Sequence, residues 1–424
     1  MIEEHINFLN KLLKTRKNKK LLKKNICIVA GGTGGHIIPA LSVANNLIKN
    51  DYKVVFITDK RFDNYAKYMD LSEIDNDNFH LYYFNFKNSD NFLITLLSKI
   101  VVFTNIFRLI GLLTKHQISI TIGFGGIITV PAIIASRILG KYSIVHEQNS
   151  YAGLANRFLG FFSNLILISF KKINGFSKIL NKKIYYSGLP MRSEICNLYY
   201  KNTSKIINYE AFFKIYDDFV ITVCGGSQGA KSINRLFTDC ISELSYQIRR
   251  KIKLYHQVGE KENIEEIEKI YSENSINFVV RPFFNNMLEI ISKSHLIISR
   301  AGASAVLEIA AIGTPSILIP LPSAKNNHQL LNAKQIYDTG GCILFEEKFA
   351  NGKKLAALIT NLFESDSKLG KISSLVKKYG DPYGSERILD IIETIVEKKI
   401  SNHFYNYYRK NNDNNFLVNS IGVS

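Results

Sequence analysis

The feature that most constrains the fold is residues 26–40, where an apolar segment runs through a glycine cluster into a helical pattern. Residues 26–30 are apolar or small and predict a buried strand. Four glycines follow within positions 31–35, and Pro39 is expected in the first turn of the next helix. Glycines at a strand-to-helix turn let backbone N–H groups approach an anion, so this turn predicts a phosphate or oxyanion site. His36, directly after the glycines, can accept a proton near neutral pH.

The alternative for this stretch is a tight turn whose histidine only caps a helix. The turn lacks the Gly-Lys-Ser/Thr sequence of a P-loop, and its glycines do not form a GxGxxG pattern. The same succession of strand, glycines and helix returns at 219–231. That repetition predicts two similar α/β halves.

Short apolar runs alternate with helical patterns through both halves. The predicted strands of the first half are 26–30, 53–58, 118–123, 143–146, 165–169 and 184–187. Those of the second half are 219–224, 253–258, 277–280, 295–299, 316–319 and 342–345. This alternation is typical of an α/β protein with doubly wound parallel sheets.

Composition predicts how the 424 residues divide. The expected segments are a basic arm at 1–24, a first domain at 25–190, a second domain at 191–380, a C-terminal helix at 381–399 and an Asn- and Tyr-rich, disordered tail at 400–424. Residues 188–218 are expected to form a linker or the entry to the second domain. The arm carries eight Lys or Arg residues between positions 11 and 24, and is either a solvated tail or a contact with an acidic membrane surface.

The formal net charge of +18 predicts an anionic partner, which is nucleic acid, an acidic membrane face or a phosphorylated substrate. Five scattered cysteines without CxxC spacing indicate reduced thiols in a cytosolic protein, and no zinc site. We expect no signal peptide and no transmembrane helix. Residues 91–115 are apolar apart from a narrow polar stripe, so they form either core helices or a surface that lies on a membrane.

Other polar or glycine-rich turns follow predicted strands. They are residues 122–127, the His-Glu-Gln-Asn run at 146–149, residues 299–308 and residues 326–329. Side chains at the carboxyl ends of parallel strands line the ligand crevice of such sheets. Glu308, one helical turn beyond its glycine, can accept hydrogen bonds from two ribose hydroxyls. A nucleoside diphosphate carrying a sugar fits this combination, and glycosyl transfer is the reaction it predicts.

Together the runs 31–39, 146–149, 225–230 and 299–303 closely resemble the MurG family of N-acetylglucosaminyltransferases, in glycosyltransferase family 28. The resemblance spans about residues 25–398 and implies a GT-B fold, in which two Rossmann-like domains face a cleft. It implies that the first domain binds a lipid acceptor and the membrane, that the second binds UDP-N-acetylglucosamine (UDP-GlcNAc), and that the last helix returns to the first domain. The implied reaction is inverting, needs neither metal nor cofactor, and serves peptidoglycan synthesis. In it the 4-hydroxyl of the muramyl sugar of undecaprenyl-linked lipid I attacks C1 of the donor sugar, UDP leaves and lipid II forms.

The resemblance also implies a set of site residues. On the first half, His36 is the candidate base (with an anchoring role as the alternative), His146 and Glu147 face the acceptor, Asn149 contacts the donor sugar, and Thr33, Gly34 and Gly35 face the donor phosphates. On the second half, Arg192, Ser227 and Gln228 hold the diphosphate, Phe284 lies by the uracil, Gly302, Ala303 and Ser304 approach the ligand, Glu308 binds the ribose, and His328 and Gln329 bind sugar hydroxyls.

Three positions depart from the family pattern. Ile127 replaces a usual Tyr, Ala305 replaces a usual Thr, and Asn327 occupies a position where Asp is common. The alternatives are another GT-B lipid glycosyltransferase, against which the run 146–149 argues, a UDP-sugar 2-epimerase, and a basic nucleic-acid-binding protein. An RNA-binding motif and a zinc finger are both absent from the sequence, so we expect no nucleic acid partner. The expected location is peripheral, on the cytoplasmic face of the bacterial inner membrane.

Overall fold

The computed structural model describes residues 25–66, 78–84, 92–204, 218–226 and 229–396. For 92–103 and 201–204 it describes the helix but not the side chains. The expectations for the arm 1–24, the tail 400–424, Ser227 and Gln228 fall outside the described residues.

Thirteen strands form the framework within the described residues. In chain order, β1 to β7 are Asn25–Val29, Lys53–Thr58, Phe79–Tyr83, Ile118–Gly123, Tyr142–Glu147, Leu165–Ile168 and Ile184–Tyr186. Strands β8 to β13 are Phe219–Cys224, Ile252–Gln257, Asn277–Arg281, Leu296–Ser299, Ser316–Leu318 and Ile343–Leu344.

Helices connect these strands. In chain order, α1 to α7 are Gly34–Lys49, Phe92–Lys115, Thr129–Ile138, Leu154–Phe162, Ser193–Ser204, Lys231–Glu243 and Tyr246–Arg249. Helices α8 to α14 are Ile264–Glu273, Met287–Ser292, Ala303–Ile312, His328–Tyr337, Gly352–Phe363, Asp366–Tyr379 and Gly384–Val396. Short 3₁₀ segments lie at Lys60–Asn64, Lys178–Lys183, Lys325–Asn327 and Glu347–Phe349.

The strands form two separate parallel sheets with the same local order. The first runs β3-β2-β1-β4-β5-β6-β7, and the second runs β10-β9-β8-β11-β12-β13. In each sheet the order reverses where the first strand of the half meets the fourth, that is between β1 and β4 and between β8 and β11. Ligands of doubly wound sheets bind beyond the carboxyl ends of the strands at such a reversal. The expected α/β fold of two Rossmann-like units is confirmed.

Both faces of the first sheet are buried at its interior strands β1, β2 and β4, which explains why these strands are largely apolar. In β1, Ile26 and Ile28 pack with α1, whereas Cys27 and Val29 belong to a core on the other face. Helix α14 also packs on α1 and contributes Ile392 to the same core. The last described helix therefore packs on the first domain, although it lies at the other end of the sequence.

The structure corrects three sequence expectations. Strand β3 (Phe79–Tyr83) was not predicted, because its residues are partly exposed at the sheet edge. Helix α1 begins at Gly34, so Pro39 lies inside it and not in its first turn. Part of the expected linker 188–218 is helix α5, which begins at Ser193.

The described part of residues 91–115 has the buried side chains that the core alternative predicts, and the membrane alternative stays a prediction. Helix α2 buries Leu109 and Leu113 completely, while Phe107 keeps 65% of its surface exposed. Among the described residues, no helix is both long enough and apolar enough to cross a membrane.

Candidate active site at the two strand reversals

The first glycine turn, between β1 and α1, is braced by an acidic side chain that follows β2. Gly32 has a φ of +97° and donates its N–H to Asp59 Oδ2 at 2.9 Å. A Cβ on Gly31 would lie 2.7 Å from the same oxygen, so glycine is required there. Arg61 donates to both carboxylate oxygens, at 2.8 and 2.7 Å. Burial acts to raise the pKa of Asp59, but the hydrogen bonds from Arg61 and Gly32 outweigh it and lower that pKa.

The start of α1 carries the predicted phosphate-facing residues. Thr33 is exposed at the N-cap, and no capping bond to its side chain is present within the described part of the chain. Gly34 and Gly35 form the first helical positions, and a Cβ on Gly34 would lie 2.8 Å from the ring of Tyr65. The first turn of the helix contains no acidic residue, so its backbone N–H groups favour an anion.

The second glycine turn, after β4, packs directly on the first. Gly125 and Gly126 have φ values of +109° and +83°. A Cβ on Gly126 would lie 2.7 Å from Gly31 O, and one on Gly125 would lie 2.9 Å from the His36 ring. Gly31 N–H donates to Gly125 O at 3.4 Å. The two turns therefore hold the imidazole between two segments of backbone.

The tautomer of His36 follows from its hydrogen bond. Its Nδ1 lies 3.0 Å from Gly31 O, and because a carbonyl oxygen only accepts, Nδ1 carries the hydrogen and Nε2 keeps a lone pair. Burial lowers the pKa of His36, and the nearby Glu147 carboxylate acts in the opposite direction. The side chain is therefore a neutral imidazole with a basic Nε2 at neutral pH.

His146 is completely buried at the end of β5. Its Nε2 donates to Gly188 O at 3.2 Å, and its Nδ1 accepts from Gln148 Nε2 at 3.1 Å. Burial lowers the pKa of His146 to about 4, so the ring is neutral. Because both nitrogens are occupied by protein groups, the geometry favours a positioning role over the predicted contact with an acceptor.

Glu147 organises the loop that follows β5. Its Oε1 accepts from the backbone N of Asn149 at 2.9 Å and from that side chain at 3.3 Å. Its Oε2 accepts from Gly153 N and from Asn156 Nδ2, each at 2.9 Å. Four donors thus surround a carboxylate that is 2% exposed. This arrangement also favours a positioning role, and the side chain it orients is Asn149.

In the second half, the glycine turn after β8 is linked to the predicted uracil contact by one buried glutamine. Gln257 donates to Gly226 O at 3.0 Å and accepts from the backbone N of Phe284 at 2.9 Å. A Cβ on Gly229 would collide with the backbone of Val258. Gln257, the last residue of β9, therefore holds the glycine turn and the Phe284 loop together.

The turn after β11 presents an open helix N-terminus. Gly302 is the N-cap of α10, and a Cβ there would meet no atom within 4 Å of it in the described structure. Ala303 begins the helix, and the buried Ser304 hydroxyl has no hydrogen-bond partner among the described residues. Ala305, where the family usually has Thr, is half-buried beside it. An unsatisfied hydroxyl next to free backbone N–H groups is suited to a phosphate oxygen.

The Arg300 side chain anchors the turn after β11 through its hydrogen bonds. Its Nη1 donates to Ile319 O at 3.2 Å and to Glu347 Oε2 at 2.5 Å, while its Nη2 donates to Ser232 Oγ at 2.7 Å. The side chain is 8% exposed. One buried guanidinium therefore ties the β11 turn to the start of α6 and to the end of β12.

Glu308 faces Arg192 across a long contact. The Arg192 Nη2 atom lies 3.5 and 3.4 Å from the two carboxylate oxygens. Burial raises the pKa of Glu308, and Arg192 opposes that rise. A cavity of about 350 Å³ opens beside Arg192, and its walls include Asn197, Asn285 and Leu288.

Helix α11 begins with the two predicted sugar contacts. His328 Nδ1 lies 2.8 Å from Lys325 O, and Gln329 Oε1 accepts from the backbone N of Leu321 at 3.0 Å. The two residues before the helix, Asn326 and Asn327, have φ values of +52° and +51°. Asparagine tolerates this left-handed region better than most residues do.

Some residues of the site were not predicted from the sequence. They are Asp59, Gln257, Arg300 as a side-chain anchor, and Asn332, which contacts Asn149 across the cleft. Asp59 and Gln257 carry a usable signal, because each lies at the carboxyl end of a strand next to a glycine turn. Asn332 carries none, because its partners in the first half, Asn149 and Ser150, are more than 180 residues away in sequence. Within the described ranges, no three His, Cys, Asp or Glu side chains come together in a way that could hold a metal ion.

Family models and known proteins match the chain along most of its length. The glycosyltransferase family 28 N-terminal domain matches residues 26–168, and the C-terminal domain of the same family matches residues 220–387. A relative from Bartonella henselae is 33% identical over 88% of this chain and 94% of its own length. One from Rickettsia felis is 34% identical over 88% of this chain and all of its own length. Both are named UDP-N-acetylglucosamine--N-acetylmuramyl-(pentapeptide) pyrophosphoryl-undecaprenol N-acetylglucosamine transferase.

Solved structures share the fold. The crystal structure of Acinetobacter baumannii MurG aligns with a TM-score of 0.67 at 24% identity, over 88% of this chain and 99% of that one. A UDP-GlcNAc 2-epimerase from Neisseria meningitidis, bound to UDP-GlcNAc, aligns with a TM-score of 0.62 at 15% identity, over 88% and 100%. The second likeness shows that the fold alone does not separate a transferase from an epimerase. The sequence relatives do so, and the chain belongs to the MurG family of glycosyltransferases, within glycosyltransferase family 28.

Proposed function

We propose that the protein transfers N-acetylglucosamine from UDP-GlcNAc to the 4-hydroxyl of the muramyl sugar of undecaprenyl-pyrophosphoryl-MurNAc-pentapeptide. The observation that carries this proposal is the pairing of two unlike sites across one cleft. The first half holds a neutral imidazole between two glycine turns, and the second half offers a carboxylate, an arginine and an open helix N-terminus. Asn149 of the first half contacts Asn332 of the second at 3.2 Å, so the two sites adjoin.

The second half is suited to the sugar nucleotide. Glu308 accepts hydrogen bonds from the ribose hydroxyls, and Arg192 beside it holds a phosphate oxygen. The N–H groups at the start of α10 and the Ser304 hydroxyl receive the remaining diphosphate oxygens. The cavity next to Arg192 has a volume of about 350 Å³, which is within the usual range of small-molecule sites. It adjoins the Phe284 loop, where we place the uracil.

The first half is suited to activating the acceptor. His36 Nε2 removes the proton of the attacking hydroxyl while the acceptor oxygen bonds to C1 of the donor sugar. The bond between C1 and the UDP oxygen breaks, and UDP leaves with its electron pair. A single displacement of this kind inverts the configuration at C1. The Arg192 guanidinium and the backbone N–H groups offset the charge that develops on the leaving diphosphate.

The direct test uses the purified protein, UDP-GlcNAc labelled in the sugar and a lipid I analogue with a shortened lipid. We expect the labelled sugar to appear in the lipid product with one equivalent of UDP released. A reaction without the analogue controls for hydrolysis of the donor, and UDP-glucose in place of UDP-GlcNAc tests donor selectivity. Release of UDP without sugar transfer, or conversion of the donor into its 2-epimer, would contradict the proposal.

We also propose that the first half docks on an anionic membrane surface. On α4, Leu154, Phe158 and Phe161 expose 70, 50 and 55% of their surface, and Ile138 at the end of the neighbouring α3 exposes 62%. Lys183 borders this face, because its ammonium donates to the Phe161 carbonyl oxygen. Apolar side chains rimmed by cations are typical of surfaces that lie on a membrane.

Sedimentation with vesicles tests the docking proposal. The protein is mixed with vesicles of phosphatidylglycerol and phosphatidylethanolamine, and Phe161→Asp is compared with Tyr246→Asp. Tyr246 is a matched control because it lies in the second half and is 54% exposed. We expect Phe161→Asp to lower the bound fraction severalfold and Tyr246→Asp to leave it unchanged. Equal binding of both variants would reject this face as the docking surface.

A further inference from the structure

We propose that Asn332 and Gln335, on one face of α11, form a two-point latch that joins the halves and sets the orientation of Asn149. They are positioning residues, because every contact that we assign to them is with another group of the protein and not with a substrate. The role of Asn149 as a sugar contact belongs to the function proposed above, so this inference rests on that function. The latch itself rests on the hydrogen bonds that follow.

Asn332 is completely buried, and its amide uses every hydrogen bond available to it. Its Oδ1 accepts from the backbone N of Ser150 at 2.8 Å and from the Ser150 hydroxyl at 2.9 Å. Its Nδ2 donates to Asn149 Oδ1 at 3.2 Å and to Ala301 O at 3.1 Å. An asparagine amide can make two bonds through its oxygen and two through its nitrogen, so the group is fully satisfied.

These partners lie on opposite sides of the cleft. Asn149 and Ser150 belong to the loop after β5 in the first half, whereas Ala301 directly precedes the N-cap of α10 in the second. One side chain thus contacts the loop that carries the predicted sugar contact and the turn that faces the diphosphate. Since Asn149 Nδ2 donates to Glu147, its amide is held at both ends, and Asn332 supplies the end that comes from the other half.

Gln335 makes a second attachment one helical turn further along. Its Nε2 donates to the Lys172 carbonyl oxygen, and its Oε1 accepts from the Lys172 backbone N at 3.3 Å. The same oxygen accepts from the Tyr379 hydroxyl at 3.0 Å. A side-chain amide that pairs with both backbone groups of one residue resists sliding and rotation better than a single bond does.

The spacing of the two residues gives the latch its function. Positions three apart lie on the same face of a helix, and Gln329 is three positions before Asn332. A rigid helix therefore connects the predicted sugar contact to both attachments. Contact between a donor sugar and Gln329 favours the placement of α11 in which Asn332 holds Asn149, so donor binding and acceptor-loop geometry are coupled through α11.

The test compares Asn332→Ala, Asn332→Asp and Gln335→Ala with Lys334→Ala in the full-length protein. Lys334 is the matched control, because it is exposed on the same helix between the two latch residues. We expect Asn332→Ala to lower kcat with the lipid I analogue at least about tenfold, since small misplacements in an active site are costly. We expect UDP affinity to stay within about twofold, because the nucleotide contacts lie in the second half. Gln335→Ala should lower kcat about threefold, and Lys334→Ala should leave it unchanged.

The variant Asn332→Asp tests the contacts with Ser150 separately from those with Asn149 and Ala301. Aspartate keeps the oxygen that receives both Ser150 bonds but loses the Nδ2 donor to Asn149 and Ala301. Because its second oxygen would face two acceptor oxygens, we expect lower stability, measured by urea denaturation, and a kcat of the folded variant lowered by about as much as in Asn332→Ala. Full activity of this variant would overturn the proposal, because it would show that holding Asn149 is not what the residue contributes.

Hydrogen exchange gives a readout that does not depend on the reaction. Loss of Asn332 should speed exchange in peptides covering 148–153, and loss of Gln335 should do so in peptides covering 170–174, with β1 unchanged in both. If the natural protein transfers no sugar, the proposed function is wrong, but the hydrogen-exchange measurements still test the latch. Unchanged exchange in both peptides, or a kcat of Asn332→Ala equal to that of Lys334→Ala, would overturn the latch.

Discussion

The two halves of the molecule share a sheet order but use their polar groups in opposite ways. In the first half, the His146 ring and the Glu147 carboxylate direct all of their hydrogen-bonding atoms to neighbouring protein groups. In the second half, Glu308 and Arg192 meet only at 3.4 Å, and the Ser304 hydroxyl has no partner among the described residues. The two ionisable side chains of the first-half loop are thus satisfied by protein groups, whereas the carboxylate and the hydroxyl of the second half are not.

This difference indicates how the two sides work. Because the His146 ring and the Glu147 carboxylate are already bonded to protein groups, they need no rearrangement when an acceptor arrives, so these groups of the first half are preorganised beside His36. A weak ion pair and an unsatisfied hydroxyl gain bonds when a diphosphate and a ribose enter, so the second half gains binding energy from the donor. The predictions below test this division, from the largest expected effect to the smallest.

Replacing His36 should have the largest effect. We expect His36→Ala to lower kcat by about 10²–10⁴-fold, because a general base contributes about that much. The donor KM should change little, since we place the uracil and the ribose on the second half, and the backbone N–H groups of Thr33, Gly34 and Gly35 are kept in the variant. Steady-state kinetics with the lipid I analogue measure both quantities.

His36→Asn distinguishes a base from an anchor. The asparagine amide reaches the position of Nδ1 and can still donate to Gly31 O, but it has no atom in place of Nε2. If His36 is the base, His36→Asn is as slow as His36→Ala. Recovery of most of the activity in His36→Asn would instead assign the residue to anchoring the glycine turn.

Removing Glu308 should chiefly weaken donor binding. A hydrogen bond to a charged group contributes about 1.5–3 kcal/mol, so Glu308→Ala should raise the donor KM by roughly 10- to 100-fold. The value of kcat should fall much less, since the chemical groups are intact. A donor KM equal to that of the natural protein would exclude a ribose contact for this carboxylate.

The dependence of kcat on pH should show the protonation of His36. Burial lowers the pKa of His36, so the neutral form persists below the ordinary imidazole value of about 6.5. We therefore expect kcat to stay level as the pH falls to about 6.5 and to decline below it, when Nε2 becomes protonated. The remaining activity of His36→Asn should not show this decline of kcat at low pH. A decline with the same midpoint pH in both proteins would show that another group titrates.

Glu147→Gln should cost stability. Its carboxylate accepts from four donors, and the glutamine NH₂ group would face some of those donors instead of accepting from them. We expect a loss of about 1–3 kcal/mol in the unfolding free energy of the first half, measured by urea denaturation. Glu243→Gln is the control, because Glu243 is exposed. Equal urea midpoints for the two variants would show that the loop does not depend on this carboxylate.

The sequence predicts the strands and the turns well, for a physical reason. The interior strands are buried on both faces and so are continuously apolar, while the glycine turns need residues without a Cβ. The partly exposed Phe79–Tyr83 strand lacks that apolar signal, and Ser193–Ser204 is a helix of mixed polarity that resembles a linker. Ile127, which stands where the family usually has Tyr, exposes 42% of its surface.

The contacts that build the site are less predictable. The Asn332 contact to Asn149 depends on how two domains pack, and no local pattern encodes that packing. The four hydrogen bonds to the Glu147 carboxylate depend on the path of the loop that brings Gly153 and Asn156 close to it. The run 146–149 alone does not reveal that path. The sequence predicted a set of site residues, and the structure was needed to separate a side chain bonded to protein groups from one that is open to a ligand.

Calorimetric titration of UDP into the natural protein, His36→Asn and Glu308→Ala tests the division between the halves most directly. The division predicts that His36→Asn binds UDP with the affinity of the natural protein and that Glu308→Ala binds it at least about tenfold more weakly. Equal weakening in both variants, or full affinity in Glu308→Ala, would contradict it.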